Sequence, residues 1–384
     1  MKVMKPNSIL WLGVAATLLV STSTALVPND VRILSRIRIS HEGSSIGLAN
    51  GLSRKRRRNN SSSSSKLWSK AAPLSSNHPP ITSEAVRIRN LEQLHKLRTR
   101  DRQSLQIAPG DLKIIYQDEH IVCVNKPPGV LCVPSEEGIP TLAQTVFETV
   151  PNQVTSLDQM VVHRLGMDTS GLVIFAKTMD SLRGMNTLFR SRKIQRHYEA
   201  LVCGHVPQDE GCIDLPLMRD YEKPPFMRIS TDEHQTVLLD LDAAVVGKKL
   251  LEAPKASQTN YQVLARETFL DTDLPVTRLL LTSVTGRTHQ LNVHMAAMGH
   301  PIVGDKFYGW KGDAVPNGGL VLEANSTAEA ASVASADLQE AIGKVATTMC
   351  VHAKSLSFYH PMRSQDEAEQ EQQDPLNFEC ETPF

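Results

Sequence analysis

The sequence predicts an α+β fold in which short strands and helices build one large folded domain. Runs of β-branched and apolar residues recur along the chain, for example at 121–124, 172–176 and 279–284, and such runs between turn residues are typical of strands. Between strands, residues 181–192 place apolar side chains at helical spacing. The 384 residues are 41% hydrophobic, which is sufficient for a sizeable core.

The first 83 residues have the composition of targeting sequence. Residues 1–25 resemble a signal peptide, because two lysines precede an apolar run too short to span a membrane. Residues 26–83 are rich in Arg and Ser and contain two acids, which is typical of an organelle transit peptide. We therefore expect a plastid location, with the mitochondrion or the secretory pathway as alternatives. This segment should be disordered in the precursor.

The rest of the chain divides into a linker, a domain and a tail. Residues 84–110 have helical apolar spacing and predict a linker helix. The folded domain is expected at 111–363, with a surface insertion at about 311–345 that contains a helix from 334. Residues 364–384 carry seven acids and no base, so we expect a disordered acidic tail.

Charge and cysteine usage limit the possible partners. Residues 84–384 contain 29 Lys and Arg against 39 Asp and Glu. Such an acidic body does not attract RNA broadly, so RNA binding would need a local basic groove. The six cysteines show no metal-ligand spacing, and we expect neither a structural metal nor a disulfide framework.

The central stretch of the chain, residues 161–176, is predicted to present a site. It reads as a strand, a polar loop at 163–171 and a second, buried strand. The loop holds a basic residue, Arg164, a carboxylate, Asp168, and two hydroxyls between rigid elements. An ordinary hairpin loop is the alternative, in which these side chains only satisfy backbone groups.

The loop His163-Arg-Leu-Gly-Met-Asp-Thr-Ser-Gly171 resembles the signature of the RluA-type pseudouridine synthases, whose usual form is His-Arg-Leu-Asp-x-x-Thr-Ser-Gly. In that family the Asp after Leu is catalytic. Here Gly166 occupies that position, and Asp168 falls on a variable position of the motif. The resemblance therefore names a family more readily than an activity.

Further motifs follow in the family's order between residues 111 and 361. Residues 125–130 resemble the opening Lys-Pro-x-Gly segment, and 195–204 resemble Lys-x-Tyr-x-Ala-x-Val-x-Gly with Arg196 in place of Lys. Residues 285–291 match Thr-Gly-Arg-Thr-His-Gln-Leu, and 351–361 match the final strand. Family members usually carry Arg where this chain has Asn292.

The resemblance implies a mixed, mainly antiparallel sheet with flanking helices and an active-site cleft across its middle. Residues 84–104 are too few for the S4 RNA-binding domain that precedes many members. The implied reaction converts uridine to pseudouridine in rRNA or tRNA, without a cofactor or metal. We expect a monomer whose mature form does not bind membranes.

The resemblance also implies roles for individual residues. Arg164 would fill the vacancy left by the flipped nucleotide, Tyr198 would stack on the base, and Arg287 would orient the catalytic carboxylate. On residue type alone, Tyr198 would pack its ring in the core and Lys126 would cover the sheet edge. The residues expected to contact RNA are His163, Arg164, Lys126, Arg196, Thr169, Ser170, His289 and Gln290.

Three accounts of Gly166 remain open. Asp168 could have taken over as the catalytic carboxylate, although it lies two residues along the chain and small misplacements are costly in catalysis. Alternatively, the protein has kept the fold and lost the reaction, becoming an RNA-binding or ribosome-assembly protein. Finally, Gly166 could be a variant, because Asp and Gly codons differ by one base.

Overall fold

The computed structural model describes residues 81–320, 333–362 and 374–384. The predicted signal and transit segments therefore lie outside the described residues, except for residues 81–83. Within the described ranges, no helix is long and apolar enough to cross a membrane. The same ranges contain no group of three His, Cys, Asp or Glu residues that could hold a metal ion. All six cysteines are free thiols.

Seven α-helices occur in the described residues. They are α1 (Ser83–Asp101), α2 (Leu142–Thr149), α3 (Met179–Arg190), α4 (Asp232–Leu239), α5 (Ala243–Val246), α6 (Gln290–Ala297) and α7 (Ala336–Val345). Thr178 caps α3 reciprocally with Ser181, which satisfies two backbone amides that the first turn leaves free. The helices predicted at 181–192 and within the insertion are thus present as α3 and α7.

Eleven strands accompany them in the same ranges. They are β1 (Lys113–Gln117), β2 (Ile121–Lys126), β3 (Ser170–Ala176), β4 (Gln195–Cys203), β5 (Glu210–Asp214), β6 (Leu217–Arg219), β7 (Met227–Ile229), β8 (Gln258–Thr268), β9 (Pro275–Ser283), β10 (Val351–Phe358) and β11 (Leu376–Glu379). Nine of them form one sheet in the order β1-β2-β3-β10-β4-β9-β8-β5, with β11 paired to β10, and β6 and β7 form a separate hairpin.

The large sheet is mixed but mainly antiparallel, as the α+β prediction requires. Its one parallel pairing in the described residues joins β3 to β10 through His352 opposite Ser170 and Ala353 opposite Gly171. This short pairing is where two halves of the sheet meet. Separate apolar cores cover the halves, and Tyr198 on β4 packs against both cores. The junction between the halves therefore places Tyr198 at the middle of the sheet.

Two predicted elements differ in the structure. The strand expected before the polar loop is absent: residues 157–160 form a 3-10 turn, and Val161 makes a single bridge to Phe175. The tail expected to be disordered is partly ordered, because β11 pairs with the outer half of β10 and buries Phe378 and Cys380. The gain from apolar burial and strand pairing outweighs the charge of this segment. Residues 364–373 lie outside the described residues.

The segment predicted as a linker helix is packed against the body of the protein. Val86 near the start of α1 is fully buried, and Leu97 packs against the core beneath β4 and β9. Beyond the helix, the Ser104 hydroxyl donates to the Pro140 carbonyl at 2.7 Å and accepts from the Leu131 amide at 3.0 Å. Because both ends are anchored, α1 is a fixed part of the domain.

Candidate active site

The signature loop, residues 163–169, is held between two rigid neighbours. It leads directly into β3, whose seven residues are all buried. On the other side, the Met167 carbonyl accepts a hydrogen bond from the Gly129 amide at 3.0 Å. The Thr169 amide closes a turn by donating to the Gly166 carbonyl at 3.2 Å. These bonds fix the backbone of the loop and therefore the direction in which each side chain leaves it.

Lys126 supports the backbone of this loop from inside the protein. Its side chain is fully buried, and its ammonium group donates to the carbonyls of Pro127, Val130 and Met167 at 2.7 to 2.9 Å. Burial lowers the pKa of Lys126 to about 7. All three donors are directed to backbone carbonyls, so the structure argues against the expected RNA contact and gives Lys126 a structural role.

Gly166 leaves open the place of the family's carboxylate. A Cβ atom at this position would meet only the Thr169 hydroxyl oxygen, at 3.4 Å, and the backbone does not adopt the left-handed conformation that favours glycine. Because 3.4 Å is an ordinary contact distance, a Cβ fits here without strain. Glycine is therefore not required by the loop, and its effect is to remove the carboxylate.

Asp168 does not occupy that place. Its carboxylate forms an ion pair with the guanidinium of Arg100 near the end of α1. Arg100 also lies over the ring of Phe307, 4.4 Å from the ring centre. About a quarter of each ion-paired side chain is exposed to solvent. Asp168 is thus held by a cation from outside the recognised motifs, which sequence reasoning did not identify.

Arg287 has no carboxylate partner among the described residues. Its Nε donates to the Ala256 carbonyl at 3.1 Å, and its backbone amide donates to the Gln290 side-chain oxygen at 3.0 Å. The expected pairing of Arg287 with a catalytic carboxylate is therefore not made to Asp168. Within the described ranges the two terminal nitrogens of Arg287 form no hydrogen bond, so they are available to a ligand.

Tyr198 and Arg196 come from the same strand, β4, and lie beside the loop. Burial raises the pKa of Tyr198, and the charge of Arg196 opposes this rise, so the phenol stays neutral. No described residue hydrogen-bonds its hydroxyl. The Arg196 guanidinium donates to the Ser283 carbonyl at 3.3 Å and lies so close to Gly286 that a Cβ there would approach a terminal nitrogen within 2.8 Å. A neutral aromatic ring and a cation are thus available at the junction of the sheet halves.

The two residues that open the signature loop have different surroundings. The His163 Nε2 accepts from the Ile174 amide at 2.9 Å, and burial together with the charge of Arg196 lowers the His163 pKa to about 3. The imidazole is therefore neutral and supports β3. Arg164 is exposed, and no hydrogen bond or ion pair joins it to another described residue. Its charge contributes to lowering the pKa of His289.

Three other residues expected to contact RNA are Ser170, Gln290 and Thr169. The side chains of Ser170 and Gln290 form hydrogen bonds inside the protein, whereas Thr169 lies in the loop itself. The buried Ser170 hydroxyl is 2.8 Å from His352 Nδ1. The buried Gln290 amide bonds Thr285, Gln258, Thr259 and the Arg287 backbone, so both residues are structural and the expectation of RNA contact is not supported. Thr169 is half-buried, and its hydroxyl faces the open position at Gly166.

His289 directly precedes α6, adopts the left-handed conformation and is exposed. Its Nδ1 is 2.9 Å from the Tyr308 hydroxyl, and its ring lies nearly parallel to that of Phe307. Desolvation by neighbouring protein atoms and, to a lesser extent, the positive charges of Arg219, Arg100 and Arg164 lower the pKa of His289 to about 4. His289 is thus a neutral ring beside three cations.

Family members usually carry Arg at the position of Asn292. Here Asn292 gives the carboxylate of Asp305 an uncharged hydrogen-bond partner. Its amide donates to Asp305 at 2.8 Å. Burial raises the pKa of Asp305, while Asn292, the amides of Tyr308 and Phe307 and the nearby Arg100 oppose the rise. Arg100 therefore lies close to two acids of this region, Asp168 and Asp305, although only Asp168 is ion-paired to it.

A family model described as RNA pseudouridylate synthase matches residues 120–297. The dual-specificity RNA pseudouridine synthase RluA of Yersinia pestis is 34% identical over 271 residues, covering 71% of this chain and 99% of that protein. The RluA protein of Escherichia coli K12 is 37% identical over 199 residues, or 77% of its length. A solved human structure, RNA Pseudouridylate Synthase Domain Containing 1, shares 22% identity with a TM-score of 0.48 over 73% of this chain and 87% of its own. Since the relative from Yersinia pestis is 34% identical and matches over almost its entire length, the chain belongs to the RluA-type pseudouridine synthase family.

Proposed function

We propose that this protein acts on uridine in structured RNA, rRNA or tRNA, as a pseudouridine synthase. One observation carries the proposal: side chains that can receive a flipped nucleotide remain free around the place of the family's carboxylate. Arg164 is exposed without a partner, Tyr198 keeps an unbonded hydroxyl on a half-buried ring, and Arg287 has free terminal nitrogens among the described residues. Relatives over this region are named RNA pseudouridine synthases.

The chemistry assigns a role to each of these groups. Isomerisation breaks the bond between N1 of uracil and C1′ of ribose, rotates the base and joins C5 to C1′, while C5 loses a proton and N1 gains one. The base must leave its stack, and an aromatic face such as that of Tyr198 can receive it. Arg164 can occupy the vacated space and contact phosphate. A carboxylate supplies the attack on the sugar or on the base.

The second candidate function is RNA binding without turnover, on the same fold. Two observations favour it: Gly166 cannot supply the carboxylate, and Asp168 is ion-paired with Arg100 instead of Arg287. Asp168 lies two residues beyond the family's catalytic position and pairs with a cation from α1, and catalysis tolerates only small misplacements of a reacting group. The two functions predict the same RNA binding and different turnover.

One experiment separates them. Three full-length proteins are each incubated with unmodified tRNA and rRNA transcripts. They are the unchanged protein, Gly166→Asp and Asp168→Ala. Pseudouridine is separated from uridine by chromatography of the nucleosides, because the isomers have the same mass, and RNA binding is measured in parallel. If the unchanged protein forms pseudouridine and Asp168→Ala abolishes this turnover, the catalytic carboxylate is that of Asp168. Turnover only in Gly166→Asp shows a synthase that lacks one group.

The remaining outcomes concern binding. RNA binding without turnover in all three proteins establishes the second function. Absence of RNA binding and of turnover in all three overturns the proposal. The Arg287→Lys variant in the active background provides a control for geometry, because it keeps the charge and loses the planar guanidinium.

We also propose that the protein works in the plastid as a monomer that requires no metal. The arginine-rich, acid-poor residues 26–83 behind an apolar run support the location. Fusion of residues 1–83 to a fluorescent protein tests it, and fluorescence in mitochondria or in the secretory pathway would contradict it. Sedimentation of the full chain tests the oligomeric state, and turnover in the presence of a chelator tests the metal requirement.

A further inference from the structure

A local excess of positive charge near the site lies on α1, outside the region that the family model matches. Residues 83–102 contain six Lys and Arg against three Asp and Glu. Residues 103–384 contain 23 Lys and Arg against 36 Asp and Glu. The body that carries the cleft is therefore acidic and repels polyphosphate, so an RNA that reaches the cleft needs a cationic surface next to it.

The end of α1 is adjacent to the signature loop. Arg100 joins the helix to the signature loop through Asp168 and lies over Phe307. On either side of Arg100, the side chains of Lys96, Arg98 and Arg102 are 61, 63 and 62% exposed. The ion pair thus fixes the segment that carries these exposed cations to the loop that contains Arg164.

These cations are only partly neutralised by the protein. Arg98 and Arg102 share one carboxylate, Glu136, at 3.6 and 3.0 Å, and Lys96 is 3.6 Å from Asp313. Surface ion pairs of this exposure contribute little stability. A phosphate can therefore replace Glu136 as a partner at small cost, and two guanidiniums four residues apart on one helix face can contact adjacent phosphates.

The helix is also rigid enough to act as a preformed surface. Thr82 caps its first turn, Val86 is fully buried, and the Ser83 hydroxyl accepts from the Asp242 amide at 2.8 Å. At the other end, Ser104 is bonded to two loops. Binding to a preformed surface avoids the entropic cost of ordering the helix.

From this juxtaposition we propose that the C-terminal end of α1, through Arg98 and Arg102, binds the phosphate backbone of the RNA whose uridine enters the cleft. This inference rests on the proposed function, because it concerns the same RNA. Arg100 anchors the surface and is not one of its phosphate ligands. The contact is sequence-independent, so it affects affinity for all substrate RNAs alike.

The test compares two double variants of the full chain. Arg98→Gln/Arg102→Gln removes the proposed contacts. Arg87→Gln/Arg89→Gln removes two exposed cations from the same helix, roughly 18 Å farther along at 1.5 Å per residue. Binding of a fluorescently labelled, unmodified tRNA transcript is measured at several salt concentrations. Because every protein keeps residues 1–80, their contribution is common to all measurements.

We expect Arg98→Gln/Arg102→Gln to weaken binding about tenfold and to lower the salt slope by about 1.4 to 1.8, as loss of two phosphate contacts requires. The control should stay within about twofold of the unchanged protein. Glu136→Gln should tighten binding, because it releases both arginines and removes a negative charge. Equal affinities and salt slopes for the two double variants would overturn the inference.

Failure of the inference is distinguishable from failure of the proposed function. If the unchanged protein binds the transcript and Arg98→Gln/Arg102→Gln binds it equally well, α1 is not a phosphate-binding surface, while the proposed function stands. If the unchanged protein does not bind RNA, both are overturned. Weaker binding by Glu136→Gln would show that the two arginines act only as structural partners of Glu136, and would also overturn the inference.

Discussion

Gly166→Asp is the substitution from which the structure predicts the largest change in activity. The new Cβ meets only the Thr169 hydroxyl oxygen, at 3.4 Å, and the backbone at 166 is not left-handed. We therefore expect the fold to accept the carboxylate, with a change of at most about 1 kcal/mol in the free energy of unfolding. The terminal nitrogens of Arg287 form no hydrogen bond within the described ranges, and we expect them to pair with the new carboxylate.

The expected gain is large because the carboxylate takes part in the bond-breaking step. Positioned acid, base or nucleophilic groups contribute on the order of 10³-fold in rate, equivalent to about 4 kcal/mol of activation free energy. Pairing with Arg287 would also keep the new carboxylate ionised, because a neighbouring cation lowers the pKa of an acid. We expect Gly166→Asp to raise pseudouridine formation by about this factor over the chain as written.

The assay is single-turnover formation of pseudouridine in an unmodified transcript, with the free energy of unfolding measured for each protein. Gly166→Asn is the matched control, because it adds a side chain of the same shape without a carboxylate. Equal rates for the Asp and Asn variants, with both proteins folded, would refute the reasoning. If the unchanged protein is active and Asp168→Ala alone abolishes its turnover, the reasoning is also refuted.

Three further predictions concern the cleft, pH and the tail. In an active background, Arg164→Ala should lower turnover at least tenfold and leave the melting temperature unchanged, whereas Arg183→Ala, another exposed arginine, should change neither. Burial lowers the pKa of His294 and His352 to about 4. Since the unfolded chain binds more protons below about pH 6.5, stability should fall as pH falls from 6.5 towards 4, by about 2 to 3 kcal/mol for the two residues between pH 7.5 and 5.5. Urea unfolding measures this, and a flat profile would contradict it. Deleting residues 375–384 removes β11 and should cost about 3 kcal/mol; unchanged urea unfolding would show that the pairing is unimportant.

Prediction succeeded where a local pattern decides the structure. The runs at 121–124 and 195–204 are strands, and the residues at 181–192 are mostly helical, because side-chain spacing alone selects which face is buried. The prediction was wrong for the residues that directly precede the signature loop, where apolar residues at 161 and 162 suggested a strand. There the neighbouring backbone supplies only one bridge, so no strand forms. Strand pairing depends on the distant partner, which a local pattern does not contain.

The motifs identified the family and the loop, but they did not distinguish residues that face a ligand from residues that brace the site. Lys126, Ser170 and Gln290 all have hydrogen-bonding side chains that suit RNA. In the fold each is buried and bonded internally. Burial and partner geometry arise when distant segments meet, so residue type alone could not separate these roles.

The sequence by itself determined the family, the order of the motifs and the absence of a carboxylate at position 166, because each is a property of consecutive residues. Only the tertiary structure decided what Asp168 does. Its partner, Arg100, lies 68 positions away on a helix outside the motifs. An ion pair depends on the distance between two charges in space, and the sequence contains no signal for that distance until the chain has folded.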